Sequence, residues 1–159
     1  MGSIIYLTTT IPHILFVVGI LFRFMQNPCE GHWLASKRVL RYLKGTQDFG
    51  LKYSKVDDFK LIGYSDSDFD GDKKTGVSTS GYTMSLGSAV VSWRSCKQSV
   101  SADSKTEAEY VAAVEATKEI VWLREILEYL QEKQENSTPL LVDNTLIECG
   151  VKHLQFVFH

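Results

Sequence analysis

The feature that most constrains the fold is a long amphipathic helix, predicted to start near residue 104 and to end before the polar residues 131–138. Ser104 and Glu107 form the S-x-x-E pattern of a capping box at its entry. Behind this entry, apolar residues at helical spacing supply one face: Val111, Val114, Ala116, Ile120, Leu123, Ile126, Leu127 and Leu130. The pattern predicts a single long helix between two segments that have strand character.

Short alternating segments on both sides of this helix predict β-strands. The predicted strands are Leu51–Ser54, Lys60–Asp66, a strand in which Tyr82, Met84 and Leu86 face one way, Val90–Trp93, and Pro139–Asp143. Gly87-Ser88 is a tight hairpin signal between the third and fourth of them. The polar stretch 70–79 is interpreted as a loop.

The first third of the chain is predicted to be helical. Residues 13–25 form one apolar segment, and Asn27-Pro28 ends it and is expected to start the next helix, with Asn27 as the cap. Gly45 is the expected stop of that second helix. Its basic side is formed by Lys37, Arg38, Arg41 and Lys44.

The run Ile14–Phe22 leaves two interpretations open. It is unbroken and apolar but shorter than the roughly 20 residues of a membrane span. Its length fits the hydrophobic region of a secretory signal, roughly 7–15 residues. No Lys or Arg precedes it, and Pro12 stands near its start, which favours a buried helix of a folded domain instead.

Composition narrows the class of protein. The 159 residues suit one compact domain or two small ones, and an apolar share of 44% is enough for a core. The formal net charge of −2 argues against a broadly basic nucleic-acid-binding surface. Three widely spaced cysteines form no disulfide framework, and Cys149, His153 and His159 would still need a fourth ligand to hold zinc.

Three carboxylates stand where a two-metal site would need them: Asp66 and Asp143 at strand ends and Glu109 in the first turns of the long helix. Such a site holds two divalent ions about 3.5–4 Å apart, and oxygen ligands suit Mg²⁺ or Mn²⁺. Each residue also has a simpler interpretation. Asp66 lies in a solvated acidic stretch, Glu109 is favoured by the helix dipole, and Asp143 could cap a terminal helix.

Longer stretches resemble the end of a copia-type retrotransposon reverse transcriptase followed by its ribonuclease H domain. YLTTTIPHILFVVGILFRFMQNP and HWLASKRVLRYLKGTQDFGLKYS carry the first part of the resemblance, and IGYSDSDFDGD, STSGYTMSLGSAVVSWRSCKQ, TEAEYVAAVEATKEIVWLREIL and LLVDN the second. The resemblance implies a ribonuclease H fold, a mixed sheet flanked by helices. It also implies cleavage of RNA in RNA–DNA hybrids with two metals held by Asp66, Glu109 and Asp143.

The chain departs from that family at several places. Ile11-Pro12-His13 replaces the family's usual Arg-Pro-Asp, and Lys74-Thr75-Gly76-Val77 replaces an acidic-acidic-Arg loop. After Asn144 the resemblance ends, so the later His and the fourth acidic residue are missing. Loss of a ligand from a metal pair costs orders of magnitude in rate, and we therefore expect no working enzyme.

Arg38-Val39-Leu40-Arg41 forms an Arg-x-Leu-Arg tetrapeptide behind the apolar run. This layout resembles the secreted RxLR effectors of oomycete plant pathogens, in which a signal peptide directs secretion and the tetrapeptide is associated with entry into host cells. The uncharged Ile11 and His13 make the N-terminus more signal-like. The same four residues are also explained by the retrotransposon resemblance, as a basic helix face for packing or nucleic acid.

The expected fold is therefore α+β, an incomplete ribonuclease H-like mixed sheet with flanking helices in residues 49–159, preceded by a helical segment in residues 1–48. Residues 1–31 are a candidate signal peptide. The expected function is that of a secreted RxLR-type effector that acts on an unknown host protein inside plant cells, suppressing defence-related cell death.

Further expectations follow from these two resemblances. No cofactor and no stable membrane insertion are expected, and Asn136 would be a glycosylation acceptor if the chain is secreted. The alternative function is an intracellular remnant, inert or still cutting RNA–DNA hybrids with Mg²⁺ or Mn²⁺.

Overall fold

The computed structural model describes residues 2–56, 59–72, 76–142, 145–149 and 154–157, with the backbone alone for 70–72, 145–149 and 154–157. The chain divides into two compact units, Met1–Leu51 and Lys52–His159. The sequence had placed this boundary after residue 48. Each unit has its own hydrophobic core, and the two cores share no residue.

The N-terminal unit consists of three helices: α1 (Gly2–Leu7), α2 (Leu15–Arg23) and α3 (Glu30–Gly45), with a 3-10 turn at Pro12–Ile14 before α2. Its core is formed by Ile4, Ile14, Val18, Leu21 and Val39. The predicted apolar segment forms α2, which buries Val18 and Leu21 in this core and leaves Phe16, Val17 and Phe22 partly exposed. Helix α3 ends at Gly45 as expected. The sequence pattern did not predict α1.

The predicted start of α3 at Asn27-Pro28 is wrong, because the helix begins at Glu30 with Cys29 as its cap. The physical reason is a local hydrogen bond that the Asn-Pro pattern does not contain. The backbone N–H of Cys29 donates to Nδ1 of His32 at 3.0 Å, so the side chain three residues into the helix binds back to the cap.

The C-terminal unit is a six-stranded mixed sheet in the order β3-β2-β1-β4-β5-β6 among the described residues. The strands are β1 (Leu61–Asp72), β2 (Val77–Leu86), β3 (Ala89–Lys97), β4 (Thr138–Val142), β5 (Thr145–Cys149) and β6 (Leu154–Val157), and α4 (Lys105–Tyr129) connects β3 to β4. Among the described strands, β1 and β4 pair in parallel and the other pairs are antiparallel. The expected α+β class with a mixed sheet is confirmed.

The long helix begins behind the predicted cap Ser104, although the Glu107 side chain binds one residue before that cap. The Glu107 N–H donates to Ser104 Oγ at 3.2 Å, and the Glu107 carboxylate accepts from the Asp103 N–H at 2.7 Å. Ile120 meets Leu61, Met84 and Leu140 in a core where each is at most 1% exposed. The most buried part of the helix lies earlier than expected, at Ala108, Ala112, Ala113 and Ala116, whereas Leu130 lies past the helix end and is exposed.

One predicted strand and one predicted loop need correction. The alternating segment Leu51–Ser54 is not a strand, because it finds no ladder partner. Instead the Tyr53 hydroxyl donates to the Val90 carbonyl at 2.9 Å, and Ser54 exchanges two bonds with the Ser88 hydroxyl. The predicted loop 70–79 is also shorter than expected, since β1 continues to Asp72 and β2 begins at Val77.

Candidate functional site

The first acidic candidate, Asp66, lies in the regular part of β1 opposite Gly81 of β2. Exposure alternates along β1, so Asp66 is exposed while its neighbours Ser65 and Ser67 are buried. Its Oδ1 accepts a hydrogen bond from the Ser67 backbone N–H at 2.8 Å. Asp66 therefore presents a carboxylate at the sheet surface, with one oxygen already oriented by the strand itself.

Glu109, the helical candidate, is in the first turns of α4 and has a side chain that is 21% exposed. Its Oε1 pairs with Lys105 Nζ at 3.2 Å, an i, i+4 ion pair along the same helix. Asp143, the third candidate, lies outside the described residues. Within the described part of the chain, no three His, Cys, Asp or Glu side chains come together to hold a metal ion. The described carboxylates alone thus do not make the ligand set that the retrotransposon resemblance implies.

A buried polar cluster that the sequence did not predict lies between β1, β2 and the start of α4. Gln98 donates from Nε2 to the Ser80 hydroxyl at 2.8 Å and to the Ala108 carbonyl at 2.9 Å. The hydroxyls of Ser65 and Ser67 and the Oε1 of Gln98 are buried and form no hydrogen bond with the residues that the structure describes. The cluster ties the first turn of α4 to β2, and only the tertiary fold could reveal it.

A second polar network joins the middle of α4 to the antiparallel strands. The Glu119 carboxylate accepts from the Tyr82 hydroxyl at 3.1 Å and from the Ser92 hydroxyl at 2.6 Å. Burial, followed by the negative charge of Glu119 and its hydrogen bond, raises the pKa of Tyr82 to about 12, although Arg94 opposes the shift. This network holds the helix on the sheet.

The tetrapeptide Arg38–Arg41 lies in the middle of α3. Val39 is 7% exposed and belongs to the core of the N-terminal unit, whereas Leu40 is 52% exposed. Arg38 and Arg41 are also exposed, one helical turn apart. The free position of the motif thus supports the fold, and its three defining residues face solvent.

The candidate signal segment is folded against α3. Four of the five buried core residues of the N-terminal unit come from residues 4–21, so removal of residues 1–31 would leave Val39 uncovered. Ile11 and His13, which depart from the retrotransposon pattern, both pack against other residues of this unit. Ile11 packs against this core, and the His13 ring meets Tyr42 edge-on at 5.3 Å. No helix in the described residues has the length and apolar character to cross a membrane.

The glycosylation candidate Asn136 is exposed, but its sequon ends in a buried residue. Thr138 is 1% exposed, and its hydroxyl accepts a hydrogen bond from Arg124 Nη1 at 2.8 Å. The same guanidinium donates to the carbonyls of Asn136 and Gln134 at 2.8 and 2.5 Å. The Gln134 side chain in turn binds the backbone of Leu61 and Phe59, which anchors the start of β1.

Comparison with known proteins links the chain to two groups. It is 50% identical over 123 residues to secreted RxLR effector protein 161 of Plasmopara viticola. The aligned region covers 77% of this chain and 87% of that protein. It is 36% identical over 167 residues to the retrovirus-related Pol polyprotein from transposon TNT 1-94 of Nicotiana tabacum, and 35% identical to that from transposon RE2 of Arabidopsis thaliana. Each covers 99% of this chain, which spans 12% of either polyprotein. No family model and no solved structure matches.

Proposed function

We propose that this chain, which belongs to the family of secreted RxLR effector protein 161 of Plasmopara viticola, is a secreted effector that acts by protein interaction inside a host plant cell. Its similarity to copia-type Pol polyproteins along 99% of its length makes it a retroelement-derived member of that family. We further propose that its effect in the host is suppression of defence-related cell death.

The observation that carries the proposal is the 50% identity to the effector over most of that protein's length. The geometry of α3 supports it, because Arg38, Leu40 and Arg41 face solvent while Val39, the free position of the motif, is buried in the core. Uptake or processing machinery can therefore reach the three residues without unfolding the helix.

The ribonuclease H-like character of the sheet unit is part of the proposal. The mixed sheet, the crossing helix α4, and the positions of Asp66 and Glu109 agree with such an origin. We propose that the unit is a retained scaffold and not a working nuclease. The support for this is that Ser67 and Lys105 already bind the two described carboxylates, Asp66 and Glu109.

Export is tested by fusing residues 1–31 to a reporter enzyme that works only outside the cell. We expect secretion, and we expect the double change Ile11→Arg and His13→Asp to abolish it, because charges disrupt a hydrophobic signal region. The matched neutral change Ile11→Val with His13→Asn should leave secretion intact. Retention of the unmodified fusion in the cell would overturn the proposal, and the intact mass of the secreted full chain shows whether residues 1–31 are removed.

Action in the host is tested by expressing the protein in leaf cells in which cell death is triggered. The full chain delivered from outside should reduce cell death, and Arg38→Ala with Arg41→Ala should remove the effect of external delivery. When the same variant is expressed directly inside the leaf cell, it should still act. The control pair Lys52→Ala and Lys55→Ala changes two exposed cations in the other unit and should behave as wild type.

The competing function is residual cleavage of RNA–DNA hybrids, which the similarity to Pol polyproteins keeps open. Its test is incubation of the purified chain with a labelled hybrid and Mg²⁺ or Mn²⁺. We expect no cleavage above background. Metal-dependent cutting that Asp66→Asn abolishes would replace the scaffold interpretation with an enzymatic one.

A further inference from the structure

The N-terminal unit carries an apolar groove of about 510 Å³ on one side of α3. Its apolar walls come from α1, α2, α3 and the segment between α2 and α3: Ile4, Leu21, Phe24, Met25, Pro28, Trp33 and Leu40; the Glu30 carboxylate also lines it, at the start of α3 and away from Lys37 and Arg41 along the helix. Several of these side chains are about half exposed, among them Trp33 at 60% and Met25 at 45%. An apolar surface of this kind is a site for an apolar occupant rather than for water.

Cations border this groove on one side. Helical spacing places Lys37, Arg41 and Lys44 on the side of α3 next to Trp33 and Leu40. The Lys37 ammonium lies 5.0 Å from the centre of the Trp33 ring, which shows that the charged and apolar surfaces are continuous. An occupant that fits both surfaces needs large apolar side chains flanked by carboxylates.

The exposed face of α4 has this composition. Val121, Trp122 and Tyr129 are 45%, 53% and 87% exposed, and helical spacing puts them on one stripe, opposite the buried Ile120 and Leu127. Glu125 and Glu128 are exposed beside them. Glu128 already pairs with Lys133 at 3.4 Å, whereas Glu125 stands between Trp122 and Tyr129 along the stripe. From Trp122 onward this face is an acidic, aromatic ridge; Lys118, one turn earlier on the same stripe, is paired with Glu115 at 2.8 Å.

We propose that two copies of this chain associate head to tail, with the acidic aromatic ridge of α4 in one copy seated in the cation-bordered groove of α3 in the other. Trp122 and Tyr129 would enter the groove, and Glu125 and Glu128 would lie against Lys37 and Arg41. In such a pair one copy keeps an unused groove and the other keeps an unused ridge, so further copies can add and the association grows with concentration. The proposal goes beyond effector function and does not depend on export, but it requires residues 4–30, which form most of the groove.

The expected contact is small and electrostatic. Two aromatic side chains and the groove walls bury far less than the roughly 1,200 Å² that marks a stable interface. We therefore expect a dissociation constant on the order of 10–100 µM at low salt. Raising salt from about 50 to about 500 mM should weaken the association several-fold, since exposed pairs are screened beyond a Debye length.

The experiment is sedimentation velocity of the full-length chain, with its intact mass confirmed, at concentrations up to about 200 µM. One variant, Lys37→Glu with Arg41→Glu, reverses the groove border; a second, Glu125→Lys with Glu128→Lys, reverses the ridge. Each alone should weaken self-association at least about tenfold. A mixture of the two should associate again, because the unchanged ridge of the first variant fits the unchanged groove of the second. Lys52→Glu with Lys55→Glu is the matched control and should sediment as wild type.

Two results would overturn the proposal. Wild-type protein that stays monomeric over the whole concentration range would remove it, and so would variants that fail to restore association when mixed while keeping the wild-type circular dichroism spectrum. Binding of a short RNA–DNA duplex that is lost in Lys37→Glu with Arg41→Glu, without self-association of the wild type, would assign the cations to nucleic acid instead.

Discussion

The two units of the chain bury their apolar residues in different ways. In the sheet unit, Leu61, Met84, Ile120 and Leu140 are at most 1% exposed, and they lie between a sheet and a 25-residue helix. In the N-terminal unit, five buried side chains make the whole core, and large apolar residues such as Trp33 and Phe22 remain more than half exposed.

The hydrogen bonds of the two units differ in the sequence separation of their partners. In the N-terminal unit, Thr8 bonds to Ile5 and Ser36 to His32, within one helical turn. In the sheet unit, Gln134 reaches Leu61 across 73 positions of sequence, and Tyr82 reaches Glu119 across 37. Distant bonds of this kind exist only when the whole unit is folded, so the sheet unit should unfold cooperatively and the helical unit should yield more easily.

The largest expected effect is that of Ile120→Ala, which leaves a cavity where the helix meets Leu61, Met84 and Leu140. We expect the free energy of unfolding of the sheet unit to fall by about 2–5 kcal/mol. Hydrogen exchange followed peptide by peptide during a urea series measures it, and amides of α2 and α3 should keep their protection. Equal loss of protection in both units would break the distinction between them.

The reciprocal change Val18→Ala removes a buried side chain from the small core instead. Protection should then fall in α1 to α3 and stay unchanged in the sheet. The matched surface change Val121→Ala, on a side chain that is 45% exposed, should alter neither unit by more than about 0.5 kcal/mol.

Arg124→Met tests whether the distant polar bonds stabilise the sheet unit. The change leaves the carbonyls of Gln134 and Asn136 and the buried hydroxyl of Thr138 without their donor. A loss of about 1.5–3 kcal/mol is expected, as for hydrogen bonds to a charged group. Asn136→Gln is the control, because Arg124 binds the carbonyl of that residue and not its amide. If urea denaturation gave the same free energy of unfolding for Arg124→Met as for wild type, this role would be contradicted.

Gly63→Ala tests how tightly the sheet core is packed. A Cβ at this position would lie 2.9 Å from Leu140 Cδ1 and 3.0 Å from both Ile120 Cδ1 and Met84 Sδ. Overpacking of this kind should cost about 1–3 kcal/mol. Gly45→Ala, at the end of α3, meets nothing within 4 Å and should not destabilise. The difference in midpoint between the two variants is the measurement, and equal midpoints would mean a loose core.

The smallest expected effect is a pH dependence confined to the sheet unit. Because the folded pKa of Tyr82 is raised to about 12 from 10.0, the folded state holds its proton more tightly, and stability is lost as pH rises through this interval. Spectrophotometric titration should show one of the seven tyrosines ionising last. Tyr82→Phe should remove that step and flatten the alkaline loss of stability; a wild-type titration with no late-ionising tyrosine would contradict the raised pKa.

Local patterns predicted the elements that local chemistry decides. The cap at Ser104, the hairpin at Gly87 and the stop at Gly45 depend on a few neighbouring residues, and all three were correct. The second half of the capping box was not, because the Glu107 carboxylate accepts from the Asp103 N–H instead of the Ser104 N–H. The start of α3 failed because the His32 side chain outweighs the Asn-Pro pattern. The segment Leu51–Ser54 alternates like a strand but found no ladder partner, and a single sequence does not show partners.

The candidate site was harder to predict, because its contacts join residues that are distant in sequence. The sequence identified Asp66, Glu109 and Arg38–Arg41 by type and position, and it gave no indication that Gln98, Arg124 or Gln134 would bond across the fold. These long polar side chains are ordinary surface residues in composition. Only the pairing of β1 with β4 and the course of α4 bring their partners within reach.

The parallel pairing of β1 with β4 has a consequence for how the protein is made. As the chain leaves the ribosome, β1 to β3 can form their antiparallel ladder at once, because hairpins join neighbours in sequence. The other edge of β1 must wait until α4 and β4 have been synthesised, and during that interval a bare strand edge and the apolar side of the ladder are exposed to solvent. Synthesis that stalls within α4 would therefore leave an aggregation-prone intermediate. The speed of translation through residues 105–142 should thus determine how much soluble protein a cell obtains.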